Sequence, residues 1–254
     1  MDSMFYNCKS LISLDLSYFN TKKVTDMDSI FAGCYSLKTL NLSNFNTQNI
    51  RSMDSMFYDC KSLISLDLSS FNTENVTSMK YTFSGCKSLI SLDLSNLNIQ
   101  NVYSMNLTFY DCNSLISLDL SNFNTENVVN MESMFLGCKL LTSLNISNFN
   151  NIRTGNTKYM FSGCNSLISL DLSGFCHRFS HKAGMFLGCN SLTIIDSPKV
   201  KVNEFYISDY RDFDIYSIEE MELERIRYIF DYCNSLTTKN KKSFKKIVDK
   251  VDQV

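Results

Sequence analysis

The residues of this sequence best equipped for chemistry recur in rows. Aspartate or asparagine stands at Asp15, Asn41, Asp67, Asp93, Asp119, Asn145, Asp171 and Asp196, with serines such as Ser65, Ser69, Ser91, Ser95, Ser117 and Ser121 on either side. Some parallel solenoids cleave acidic polysaccharides with clustered aspartates, so a polysaccharide-active enzyme has to be weighed. Two-carboxylate catalysis needs environments that separate the two pKa values. A row of equivalent positions repeats a single environment, and no copy adds its own base and nucleophile. The alternative is a partner-binding face: Asp67, Asp93, Asp119 and Asp171, with Ser65, Ser69, Ser91, Ser95, Ser117 and Ser121, form a strip for a basic or hydroxyl-rich partner. Stacked about 4.8 Å apart, the aspartates would repel by roughly 1 kcal/mol per neighbour in water. Such a row must be solvated, hydrogen-bonded to its serines, or neutralised by cations or a basic partner.

Two other groups invite a chemical reading. The stretch "CHRFSH" holds Cys176, His177 and His181, three residue types that bind zinc. It lies in a copy one residue short and brings no fourth ligand, so it reads as an exposed loop, and neither metal nor cofactor is expected. Cysteine also recurs at Cys8, Cys34, Cys60, Cys86, Cys112, Cys138 and Cys164, always 26 apart, and then at Cys189 and Cys233. Each sits beside phenylalanine and leucine positions. Disulfides along such a column would have to choose neighbours arbitrarily, whereas free thiols acting as small buried hydrophobes fit every copy.

The elements that position these residues follow from the repeat. Phenylalanine stands three before each of these nine cysteines, from Phe5 to Phe230, and leucine three after, from Leu11 to Leu236, giving nine anchors. In "LISLDLS", Leu66, Asp67 and Leu68 alternate as a strand with one buried face. In "VTSMKYTFSGC", Val76, Met79, Phe83 and Cys86 fall at steps of three and four, as on a short helix. The residue before the first eight cysteines is always Gly, Asn or Asp, the types that tolerate positive φ at a helix end. One unit cannot bury its own apolar face, but stacked units can. The fold class is therefore an α/β repeat solenoid: a leucine-rich-repeat-like stack of about nine turns, with a parallel β-sheet on one side and short helices on the other.

The frame "LDLSNFNTENVVNMESMFLGC", Leu118 to Cys138, resembles the 26-residue repeat of the BspA-like leucine-rich-repeat surface proteins. The resemblance covers about residues 1–198 and the turn at 223–236. It implies a bacterial cell-surface location, adhesion and host-protein binding, although members also occur in microbial eukaryotes.

Three regions emerge. Residues 1–198 carry the repeats, 199–222 form a non-repeat acidic and aromatic insertion, and 223–254 hold the last turn and a C-terminal capping helix. The insertion offers Tyr206, Tyr210, Phe213 and Tyr216 as a candidate partner-binding loop. In "KKSFKKIVDKV", Phe244, Ile247, Val248 and Val251 share one face, which suits a cap better than a membrane-surface helix. Met1 takes the place of Met53 in mid-repeat, so the sequence is expected to be a piece of a longer protein, with an exposed first edge that self-associates or continues into further repeats. It shows no signal peptide and no membrane span. The net charge of −2 leaves no electrostatic footprint for nucleic acid. The expected function is a non-enzymatic protein- or glycan-binding module of a surface or secreted adhesin-like protein. The alternative is a cytoplasmic leucine-rich-repeat scaffold.

Overall fold

The computed structural model describes residues 1–150, 155–173 and 184–196. Eight of the nine anchors lie there. The "CHRFSH" stretch, the 199–222 insertion with Tyr206, Tyr210, Phe213 and Tyr216, the ninth turn and the capping helix fall outside the described residues.

The chain winds as a stack in which each residue lies over its counterpart in the next turn. Six short strands are regular: β1 (Ser13–Asp15), β2 (Thr39–Asn41), β3 (Ser117–Asp119), β4 (Ser143–Asn145), β5 (Ser169–Asp171) and β6 (Ile194–Asp196). They pair in parallel as β1–β2, β3–β4 and β5–β6, with Leu14 on Leu40 and Leu118 on Leu144. Residues 65–67 and 91–93 keep the same alternation of exposed and buried side chains without regular pairing. A second row of parallel bridges runs Ser52–Ser78–Ser104–Asn130–Asn156.

The helical spacing is realised differently. Among the described residues there is no α-helix. The segment from Met27 to Leu37 is a run of tight turns. Ile30 N–H donates to Met27 C=O, Ala32 to Ser29 and Cys34 to Phe31. The intervening N–H groups point along the stack instead: Ser29 to Asp54 C=O at 2.9 Å, Phe31 to Met56 at 3.1 Å and Gly33 to Tyr58 at 2.7 Å. The same three bonds join turn after turn. The alternation needs left-handed backbone twice per turn, as at Ser29 (φ 54°) and Gly33 (φ 74°). A helix this short would carry the nucleation cost for few bonds. The stack instead gives every second N–H a partner in the next turn, which buried backbone requires.

Like sits on like inside. Phe5, Phe31, Phe57, Phe83, Phe109, Phe135, Phe161 and Phe186 form one column, with neighbouring rings 5.5–5.7 Å apart at centroid and 3–13° from parallel. That is the offset-stacked geometry, worth about 0.5–1.5 kcal/mol per pair beyond burial. The cysteine column lies beside it. The thiols of Cys34, Cys60, Cys86, Cys112, Cys138, Cys164 and Cys189 each donate to the phenylalanine carbonyl of the preceding turn, as Cys86 does to Phe57 at 3.2 Å. The eight cysteines among the described residues are free, and all but Cys8 are buried. Burial pushes the Cys34 thiol up to about 11 and raises Cys60, Cys86 and Cys112 still more clearly. On another side, Thr47 Oγ1 donates to Asn72 C=O and accepts from Asn72 N–H, and Thr21 and Thr73 do the same one turn away on either side.

The second left-handed position explains a smaller regularity. Asn7, Gly33, Asp59, Gly85, Asp111 and Gly137 alternate. The side chain of each Asn or Asp leans over the next turn, so that a Cβ on Gly85 (φ 74°) would run into the Asp59 carboxylate and lie 3.3 Å from its Cα. A bulky residue in one turn therefore demands glycine in the next.

Two outcomes follow. Gly85→Ala should lower stability by about 1 kcal/mol or more, from strained φ and overlap together. Adding Asp59→Gly should recover part of the loss in urea titrations, and a neutral Gly85→Ala would overturn the overlap account. In native protein alkylated with iodoacetamide near pH 8 and mapped by mass spectrometry, Cys8 should react. The buried Cys34, Cys60, Cys86, Cys112, Cys138, Cys164 and Cys189 should react only on unfolding, since the thiolate is the nucleophile and burial withholds these thiols from reagent.

Candidate functional site

The strand side carries the residues singled out in the sequence. Leu66, Leu92, Leu118 and Leu144 point inward and are nearly inaccessible. Asp67, Asp93, Asp119 and Asp171 point outward and are exposed, as are Ser65, Ser91 and Ser117. Chain register brings these side chains into neighbouring turns as the sequence suggests.

The structure also gives each aspartate a local task. Asp67 Oδ1 accepts the N–H of Ser69 at 2.9 Å, Asp93 that of Ser95 and Asp119 that of Ser121, each at 2.9 Å, and Asp171 that of Ser173 at 2.7 Å. This is an Asx turn that ends the strand. Ser69, Ser95 and Ser121 thus serve the turn through their backbone. Asn41 and Asn145 close the same turn to Ser43 and Ser147, at 3.1 and 3.2 Å. The backbone N–H of Ser69 holds the Asp67 carboxyl below its ordinary value, and Ser95 and Ser121 do the same for Asp93 and Asp119. The neighbouring charge of Asp93 acts on Asp67 in the opposite sense and is the weakest of the named influences. Solvent and turn hydrogen bonds together make the row of like charges tolerable.

One outward column escaped the sequence reading. Ile12, Ile64, Ile90, Ile116 and Ile168 are 46–60% exposed. Their backbones are tied turn to turn, with Ile90 N–H on Ile64 C=O at 3.3 Å and Ile116 N–H on Ile90 C=O at 3.2 Å. Strand parity from Leu66 would put Ile64 inside, but between the buried Leu63 and Leu66 both intervening residues face out. A signal was present: Lys38 and Thr142 occupy the same column, and a place that admits lysine is seldom buried.

Elsewhere on the surface several charged and aromatic groups engage one another. Lys61 lies over the Tyr35 ring at 4.2 Å and 3.5 Å from Asp59, Lys87 pairs with Asp111 at 3.0 Å, and Tyr58 meets Tyr81 edge to face. A third acidic group, Asp28 with Asp26 and Asp54, caps backbone N–H groups of its own row. Burial raises Asp28, aided by the charges of Asp26 and Asp54. Among the described residues no three His, Cys, Asp or Glu side chains converge in a way that could hold a metal ion, and no helix is long and apolar enough to cross a membrane.

No curated protein matches the chain. Similar solved structures include a leucine-rich-repeat protein of T. pallidum, 24% identical over 65% of this chain and 69% of that one, with a TM-score of 0.45. A leucine-rich cell surface protein of Faecalibacterium prausnitzii A2-165 is 19% identical over 76% of this chain and 55% of its own, with a TM-score of 0.35. A leucine-rich-repeat protein of Bacteroides ovatus ATCC 8483 is 19% identical over 74% and 56%, with a TM-score of 0.33. This chain thus spans little more than half the length of the last two. A family model described as "Mycoplasma protein of unknown function, DUF285" matches residues 1–117 and 89–195, most of the sequence, and the chain belongs to that family.

Proposed function

We propose that this chain is a non-enzymatic interaction module, part of a surface or secreted adhesin-like protein of BspA-like type, which binds a protein or glycan partner along its strand face. The observation that carries the reading is the division of labour in each turn. Inward residues are consumed by stacking, several charged and aromatic groups away from the strands pair with one another, and the strand side repeats exposed Ile, Ser and Asp over successive turns. A binding strip built this way spreads affinity over many turns, each contributing little. The aspartates occupy one environment repeatedly, which suits recognition better than acid–base catalysis.

The experiment uses the Asx turn as its control. Asp67→Asn, Asp93→Asn and Asp119→Asn together remove three charges and keep the turn, as Asn41 and Asn145 show. Protein and glycan microarrays probed with the labelled 254-residue chain should give hits that weaken several-fold with the triple variant. Hits indifferent to it, or turnover of uronic-acid polymers by the chain, would overturn the reading. The same variant has a stability signature. A carboxyl held below its unfolded value stabilises the fold above that value, 3.8, and loses the contribution as pH falls through the lowered native one. Urea midpoints of the wild-type chain should therefore fall more steeply below about pH 4 than those of the triple variant.

A further inference from the structure

The outward isoleucine and aspartate columns break together. Ile12 accompanies Asp15, Ile64 Asp67, Ile90 Asp93, Ile116 Asp119 and Ile168 Asp171. In the two turns where the acid becomes Asn41 or Asn145, the isoleucine has become Lys38 or Thr142. Only Asp196 keeps an acid without it, opposite Thr193. The stack does not require this coupling. Asparagine closes the Asx turn as aspartate does, and Lys38 and Thr142 make the same backbone bonds to Ile12 and Ile116 as isoleucine makes elsewhere, at 2.8 and 2.9 Å. The shared requirement therefore lies at the surface. Three successive turns carry an unbroken patch of Ile64, Ile90 and Ile116 beside Asp67, Asp93 and Asp119, bounded on both sides by turns lacking both residues.

Resting on the strand-face reading above, we propose that this patch docks a basic amphipathic α-helix of a protein partner. The helix lies along the stacking direction, its apolar side chains on the isoleucines and its lysines or arginines on the aspartates. Charge complementarity sets the sign, since residues 64–69, 90–95 and 116–121 contain no basic residue. The isoleucines are 46–48% exposed in a continuous row, which calls for an apolar counterpart and not for counter-ions alone. Spacing sets the secondary structure. Neighbouring turns of a parallel stack are about 4.8 Å apart. Side chains at i and i+3 or i+4 of a helix rise about 4.5 or 6 Å, so i, i+3 and i+7 keep pace over three turns. Same-face side chains of an extended strand recur about every 6.7 Å and fall out of step by the third turn. A glycan would meet branched aliphatic side chains here and no aromatic ring.

The probe is a labelled, helix-stabilised peptide of about 16 residues, with leucines at i, i+3 and i+7 flanked by lysines. Its fluorescence anisotropy is titrated with the 254-residue chain. Saturable binding is expected, weakened about tenfold by Ile64→Ser, Ile90→Ser and Ile116→Ser together. The triple Asp→Asn variant should also bind more weakly and should lose most of the salt dependence. Val129→Ser, another exposed aliphatic outside the patch, should bind as wild type. A glutamate-for-lysine peptide should not bind. Equal binding of a peptide with scrambled leucines, or indifference to the isoleucine substitutions, would overturn the proposal. So would no peptide binding at all. If the peptide fails while array hits remain sensitive to the aspartates, the helical partner is wrong and the strand face stands. Chitosan oligomers bound through the same isoleucines and aspartates in place of the peptide would assign the patch to a glycan. If neither peptide nor array responds to the strand face, both readings fall together.

Discussion

Everything in this fold depends on peptide groups that bond along the stack instead of along the chain. In the segment opposite the strands, the peptide units entering Ser29, Phe31 and Gly33 each present C=O to the preceding turn and N–H to the following one. The units between them close local turns. Half of this segment's backbone is thereby committed to a partner one repeat away, and that commitment fixes the period. A turn with one residue too many or too few must absorb the difference outside this segment. The copy ending at Cys189 does so: it is one residue short, yet Phe161 N–H still finds Met185 C=O at 3.0 Å and Gly163 finds Leu187. Aligned bonds of this kind polarise one another, so the array is stronger read along the stack than bond by bond.

Side-chain choice follows from that register. When position repeats on position, each residue type must be compatible with a copy of itself. Phenylalanine is, through offset stacking. Cysteine is, because a thiol is small enough to pack and still donates to the carbonyl below it. Threonine is, because one hydroxyl both accepts and donates across the interface between turns. The Asn/Asp position is the exception that shows the rule: its side chain leans over the next copy, so it is never followed by its like and glycine stands between. Ile99 in the threonine column lies buried and replaces hydrogen bonding with packing at that turn. A column tolerates one such break because its neighbours hold the register.

This accounts for what could be read from the sequence. Period, strand, core columns and free thiols were legible because each is written eight or nine times. The short helices were misread: steps of three and four between Met27, Ile30, Phe31 and Cys34 fit a helix and a run of axial turns equally well. The difference lies in the sign of φ at Ser29, Tyr81 or Leu107, and none of those residue types announces a left-handed backbone. The acidic row faces outward, as its alternation with leucine implies, but its Asx turns are not legible, because an Asp followed two residues later by Ser reads the same whether the carboxylate faces solvent or caps its own chain. The exposed isoleucines were missed for the opposite reason. Their chemistry says core, and only Lys38 in the same column says surface.

The division of each turn into used and unused groups narrows where recognition can occur. A surface of identical rows cannot mark a position along itself; a partner could slide by one turn and meet the same groups. Position comes from interruptions. On the strand side they come at Lys38 with Asn41 and at Thr142 with Asn145, turns that keep the N–H bond to the preceding turn and the Asx turn while changing both exposed side chains. Replacing Asp by Asn there leaves the strand end intact and removes one like-charge neighbour from the row. Lysine for isoleucine goes further, since it puts a repulsive charge in the path of any basic ligand that slides past the end. The stack thus separates two requirements that compete in most folds. Repetition inside supplies stability, and departures from repetition outside, at sites the backbone does not need, would supply the address for the proposed partner.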